Sequence, residues 1–241
     1  MAGRFQDRVV VVTGGTGALG SAVVARILDE GGRVWVPCFH LSEMSRFPHR
    51  DSPSVKLVAG VDLRAEAAVE GFYEEVVRGA GAPGLWASIH VAGAFAMAPF
   101  GETTRAMMVE QFELNALSAM VCCREAVRAI RRAGRGGGRI VNVSALAGVR
   151  DAVGGMVAYT SAKAAVAALT RGLAEEVRRE GILVNAIAPG VMDTPANRAA
   201  MPDADPKGWA SVVDVASAIC WLASPDNAVS SGAVVPVFGP G

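Results

Sequence analysis

The chain has 241 residues, of which 51% are hydrophobic and 19% charged, and its 23 basic and 23 acidic side chains leave no formal net charge. That length and apolarity suit one large folded domain and argue against disorder. The balanced charge argues against a nucleic-acid partner. Apolar runs such as Val9-Val10-Val11-Val12 fall far short of the roughly 20 residues that cross a bilayer. The first eight residues hold no apolar core of a signal peptide. The four cysteines show no C-x-x-C spacing and lie in apolar surroundings, so buried reduced thiols are expected rather than disulfides or metal ligands. His40, His49 and His90 are scattered, which argues against a metal site. The expectation is a cytoplasmic protein without membrane contact.

In chain order, Arg8–Val12 reads as a strand and Ala18–Glu30 as a helix. Arg33–Cys38 and Val55–Ala59 read as strands, and Ala65–Arg78 as a helix. Leu85–Val91 is a strand, and Glu110–Arg132 a long helix ended by the glycine cluster at 134–138. Arg139–Val143, Ile182–Ile187 and Ala233–Phe238 are strands; Met156–Arg179 and Val212–Leu222 are helices. Such alternation predicts an α/β fold with a doubly wound, mostly parallel sheet in a single domain over residues 1–241. The strands are nearly continuous apolar runs, as when both sheet faces are covered. Ser42–Ser54 and Val191–Trp209 read as loops. The second follows a strand end, where ligands bind in such folds, and is expected to act as a short lid around residues 191–209.

Two local patterns carry chemistry. Val9–Thr13 runs into Gly14-Gly15-Thr16-Gly17-Ala18-Leu19-Gly20, which opens a helix. Glycines there permit a tight turn and close approach of a phosphate to free helix N–H groups. Further on, Tyr159 and Lys163 stand four residues apart in an Ala-rich helical run, hence on one helix face. An ammonium beside a phenol favours the phenolate, which would lower the tyrosine pKa and make it a usable proton donor.

Together these residues resemble the short-chain dehydrogenases/reductases, over nearly the whole chain. The opening is similar to their T-G-x-x-x-G-x-G pattern, with Ala18 in place of the middle glycine. Asp62-Leu63 resembles the family's adenine contact. Ala92-Gly93 matches the second half of an N-N-A-G motif, with His90 and Val91 at its two asparagines. Pro189-Gly190 and Thr194 resemble the loop and threonine that hold the nicotinamide amide. The resemblance implies a Rossmann-like fold and cofactor contacts from Gly14, Thr16, Gly17, Leu19, Gly20, Asp62, Leu63, Ala92, Gly93, Tyr159, Lys163, Pro189 and Thr194. An acid usually ends the second strand of NAD enzymes; here Val36-Pro37-Cys38-Phe39-His40 has none, while His40 and Arg46 could meet a 2′-phosphate. The cofactor is therefore NAD(P), tilting to NADP.

The resemblance also implies catalytic roles. Tyr159 exchanges the substrate proton, Lys163 binds the nicotinamide ribose and tunes Tyr159, and Asn115 holds a relay water. Ser144 is the provisional substrate contact, though aligning on Ile140-Val141-Asn142-Val143 puts Ala145 in the serine slot. A one-residue shift at a strand end can turn a side chain to the other face. Ser144 is thus either a substrate contact or a structural hydroxyl. The lid pattern Asp193-Thr194-Pro195-x-Asn197-Arg198, continuing to Trp209, is similar to that of dihydropteridine reductases.

The expected activity is hydride transfer between nicotinamide and a small carbonyl, alcohol or similar acceptor. Reduction of a quinonoid pterin is one alternative, and a catalytically silent nucleotide-binding sensor is another. The partner is a small molecule. The apolar helix after Tyr159 suggests a homodimer or homotetramer.

Overall fold

The computed structural model describes residues 3–240. The elements run β1 (Val9–Thr13), α1 (Ala18–Asp29), β2 (Arg33–Cys38), α2 (Leu41–Arg46), β3 (Val55–Ala59), α3 (Glu66–Ala80) and β4 (Leu85–His90). Next come α4 (Arg105–Gln111), a π-helical turn at Phe112–Leu117, α5 (Ser118–Ala133), β5 (Gly138–Val143), α6 (Leu146–Val149) and α7 (Val157–Val177). The chain ends with β6 (Ile182–Pro189), β7 (Met192–Asp193), α8 (Pro195–Ala200), β8 (Ala210–Ser211), α9 (Val212–Ala223) and β9 (Val234–Val237).

The main sheet has seven strands in the order β3-β2-β1-β4-β5-β6-β9, and every pairing in it is parallel. The order reverses between β1 and β4, which opens a crevice at the carboxyl ends of those strands. β1 shows why its run is continuously apolar. Val10 and Val12 pack with Val23, Ile27 and Ile219 on the α1/α9 side. Val9 and Val11 pack with Phe72, Val76 and Ile130 on the α3/α5 side. Successive side chains of a strand point to opposite faces, so a strand covered on both sides must be apolar at every position.

Three departures from the sequence reading bear on the site. The 42–54 loop contains α2, whose start is closed by a capping box between His40 and Glu43. The long helix begins at Arg105, with Thr104 as N-cap accepting from the Met107 N–H, and carries the π-turn around Asn115. The 191–209 loop is folded: α8 is capped by Thr194, and β7 pairs with β8. No described helix is long and apolar enough to cross a membrane.

Candidate active site

A cleft of about 1060 Å³ lies at the carboxyl ends of the strands. Every catalytic or cofactor-binding candidate read from the sequence lines it: Gly14, Thr16, Gly17, Leu19, Gly20, Asp62, Leu63, Ala92, Gly93, Asn115, Ser144, Tyr159, Lys163, Pro189 and Thr194.

The glycine loop forms the floor at one end. A Cβ on Gly20 would overlap the Gly14 carbonyl, so the turn into α1 closes only around a bare Cα. Ala18 keeps a negative φ as the first residue of α1, which is how an alanine stands at the usual glycine. Thr13 anchors the facing loop, its Oγ1 accepting from the Ala92 N–H at 3.3 Å. The start of α1, which has no side-chain cap, and the close backbone approaches suit a pyrophosphate.

Around Asp62 the cleft holds charges that the sequence did not place. Arg64 donates to Asp62 from Nε at 3.0 Å and Nη2 at 2.7 Å, which holds the Asp62 carboxyl below the ordinary carboxylate range. Glu43, absent from the sequence reading, reaches across from α2 to accept from Thr16 Oγ1 at 3.3 Å. An acid that the end of β2 lacks thus stands on the next helix, beside the glycine loop. The S/T-D/E spacing of a capping box would have been the sequence signal, but His40 stands at the cap.

At the other end, Lys163 is buried and donates from Nζ to the Val143 carbonyl at 3.0 Å. Burial pushes its pKa down to about 8. Its ammonium lies 5.8 Å from the Tyr159 ring centroid. Tyr159 is held edge-on by Phe95, with ring centroids 5.1 Å apart. Burial pushes the Tyr159 hydroxyl up to about 12. This reverses the expected direction. The phenol loses more hydration than the distant, itself depressed lysine returns.

Asn115 is fixed by both ends of its amide. Its Nδ2 donates to the carbonyls of Ala94 at 2.9 Å and Gln111 at 3.0 Å, and its Oδ1 accepts from the Ala94 N–H at 3.2 Å. A Cβ on Gly93 would lie 2.6 Å from that Oδ1 and 3.2 Å from Lys163 Nζ, so only glycine fits between them. Ser144 donates to the Lys163 carbonyl at 2.8 Å, and Ala145 also lines the cleft. Thr194 Oγ1 accepts from the Asn197 N–H at 3.1 Å and keeps its proton free to donate.

His90, at a motif asparagine, takes over the strand brace. Its Nδ1 lies 2.8 Å from Asn142 Oδ1 on β5, and its Nε2 lies 2.9 Å from Ser88 Oγ. Asn142 Nδ2 donates onward to Thr170 on α7 at 3.0 Å. The cluster is buried, and that burial pushes the His90 pKa down to about 4 against the opposing bond to Asn142. The imidazole is thus neutral, with Nδ1–H donating to Asn142.

The 191–209 segment explains its own motif. Arg198 clasps Asp193 at 2.6 and 2.8 Å, Asn197 Nδ2 donates to the Met192 carbonyl at 2.8 Å, and Asp205 caps the turn at Pro206–Gly208. Asp193, Asn197, Arg198 and Asp205, four of the positions that resemble dihydropteridine reductases, thus bond within the segment.

Comparison with known proteins accords with this geometry. Residues 8–205 match the family model of the short chain dehydrogenases. A 2,3-dihydroxy-2,3-dihydro-p-cumate dehydrogenase of Pseudomonas putida is 30% identical, over 98% of this chain and 94% of its own length. A levodione reductase of Leifsonia aquatica is 28% identical, again over 98% of this chain and 94% of its own. A solved structure of ElxO with NADP bound has a TM-score of 0.87 at 24% identity, covering 95% of this chain and 96% of that one. This likeness shows the fold. The chain belongs to the short-chain dehydrogenase family, the NAD(P)-dependent oxidoreductases.

Proposed function

We propose that the chain transfers hydride between NAD(P) and a small, uncharged carbonyl or alcohol, with Tyr159 as general acid/base. The observation that carries this is the free Tyr159 hydroxyl in the cleft that also holds the glycine loop and Lys163. The dinucleotide supplies the hydride acceptor or donor, and its oxidised ring a positive charge. Gly14 to Gly20 cradle the pyrophosphate. Lys163 and Asn115, meeting at Gly93, hold the ribose side and a water path for the proton. Thr194 donates to the nicotinamide amide. Tyr159→Phe tests the reading: turnover should vanish on a panel of carbonyls and alcohols, while cofactor binding persists.

The substrate end supports a neutral, apolar substrate. Phe95, Val143, Ala145, Met192, Pro195 and Ala196 line it, and Lys163 is the charged side chain of that end. With Ser144 bonded elsewhere, Tyr159 is the one hydroxyl donor to the substrate oxygen. Loss of one such donor commonly costs about 10²–10³-fold. Activated carbonyls, such as vicinal diketones or quinones, are therefore the favoured class.

NADP is the preferred form on the strength of His40 and Arg46, with Glu43 opposing it. The chain acts as one catalytic domain over residues 1–241, with 191–209 as lid, in the cytoplasm. Val109, Phe112, Leu117 and Met120 leave exposed apolar side chains along α4, the π-turn and α5. They support a homodimer or homotetramer, which light scattering after gel filtration tests; a monomer at all concentrations would refute it.

A further inference from the structure

At the amino-terminal ends of the central strands, opposite the cleft, three arginines gather around one indole. The Trp86 ring of β4 is fixed by donation from Nε1 to the Ala223 carbonyl at 2.8 Å. The Arg8 guanidinium, just ahead of β1, lies 4.0 Å from the ring centroid, that of Arg139 on β5 lies 4.9 Å away, and that of Arg135, between α5 and β5, 6.0 Å. The hydrogen bonds found for these groups run to main-chain carbonyls alone. Arg8 Nε donates to Arg4, Arg135 Nε to Pro83, and Arg139 Nη1 to Gly138 and Gly181.

Neighbouring arginines behave differently. Arg4 pairs with Glu30, Arg131 with Glu180 and Arg132 with Glu74. Among the described residues, no carboxylate lies within 4.0 Å of the side-chain nitrogens of Arg8, Arg135 or Arg139. Arg139 is only 8% exposed, and its Nε is buried with no partner. Burial lowers the proton affinity of all three, and Arg8 lowers that of the other two further by repulsion.

Guanidinium groups stay charged at neutral pH. Three of them, partly stripped of water and without an anion, oppose folding. Stacking on Trp86 offsets only part of that cost. The planar forks of arginine match the oxygens of a phosphate, and charge-assisted bonds there are strong.

We propose that Arg8, Arg135 and Arg139, gathered on Trp86, form a binding site for a phosphate-class oxyanion at the amino-terminal edge of the sheet, apart from the cofactor cleft. The anion is either free phosphate or the phosphate group of a small organic molecule.

The test is thermal unfolding of the full chain, saturated with reduced cofactor so that the glycine loop is already filled. Inorganic phosphate is titrated against sodium chloride at matched ionic strength. The expected result is a saturable rise in Tm with phosphate that chloride does not reproduce. Arg139→Gln and the more accessible Arg135→Gln should each weaken the phosphate response about tenfold. In phosphate-free buffer Arg135→Gln should unfold at the same or a higher temperature than wild type, because a repelling charge is gone. Glycerol 3-phosphate and phenyl phosphate form a second arm. Tighter binding than inorganic phosphate assigns the site to an organic phosphate, and equal binding assigns it to the free ion. Equal responses to phosphate and chloride would overturn the proposal, as would a phosphate response that survives Arg135→Gln. So would a lower phosphate-free Tm of Arg135→Gln, which would make the cluster a structural stack.

Discussion

Ser144 gives its hydroxyl proton to the main-chain carbonyl of Lys163, 2.8 Å away. The serine that could have met the substrate is thereby tied to the helix carrying Tyr159 and Lys163. Ala145, the next residue, lines the cleft in its stead.

Ser144→Ala is accordingly expected to leave turnover within a few-fold, with a stability loss of about 1 kcal/mol for the missing bond. Ala145→Ser should add a donor and raise turnover on unactivated ketones. Steady-state kinetics on a plain and an activated ketone check both. A drop for Ser144→Ala near the roughly 10²–10³-fold cost of a lost oxyanion donor would move Ser144 onto the substrate.

Tyr159→Phe should reduce kcat by at least about 10²-fold, the low end of general acid/base contributions. Cofactor affinity, read by quenching of protein fluorescence, should stay near wild type. Lys163→Ala should lower both.

The phenol should show its burial directly. A difference absorbance titration of wild type against Tyr159→Phe is expected to place its ionisation near 12 in the free protein. Oxidised cofactor, bringing a cation to the cleft, should lower that midpoint. A midpoint near 10 without cofactor would mean that the hydroxyl is solvated rather than buried.

Glu43 should disfavour a 2′-phosphate beside Thr16. Glu43→Gln is therefore expected to tighten NADPH relative to NADH by roughly tenfold, the worth of about 1.4 kcal/mol. Direct titration of both reduced cofactors decides this. An unchanged ratio would mean that the carboxylate swings clear.

His90 links acid to stability. Its folded pKa of about 4 lies below the ordinary 6.5. Between those values the unfolded chain binds the proton that the folded chain refuses, so stability is full above about 6.5 and falls as pH drops toward 4. The loss should approach roughly 3 kcal/mol. Urea midpoints from pH 7 to pH 4 should show this slope in wild type and a flatter one in His90→Asn. Equal slopes would put the acid sensitivity elsewhere.

Much of the architecture was legible in the chain. β2 and β3 match their expected bounds because β-branched runs there meet a glycine, Gly32 ahead of β2 and Gly60 behind β3. The glycine loop and the Tyr159/Lys163 pair were legible because their spacing is the chemistry. Hidden features fall into two kinds. α2 buries none of its residues, so it leaves no apolar period to read. The π-turn at Phe112–Leu117 has no composition of its own. Charge positions such as Glu43 on Thr16, and the sign of the Tyr159 shift, depend on through-space burial that a linear pattern does not encode. The start of α4 could have been found, since Thr104 is a capping residue just ahead of Met107-Met108-Val109.

The Asp193–Arg198 clasp has one more consequence. Both partners belong to the flap itself, so nothing in that clasp ties the flap to the rest of the enzyme. The clasp therefore stiffens residues 193–198 as one piece and leaves the fastening to the body of the fold to the ends of the segment, where the Gly190 N–H meets the Val237 carbonyl at 3.0 Å.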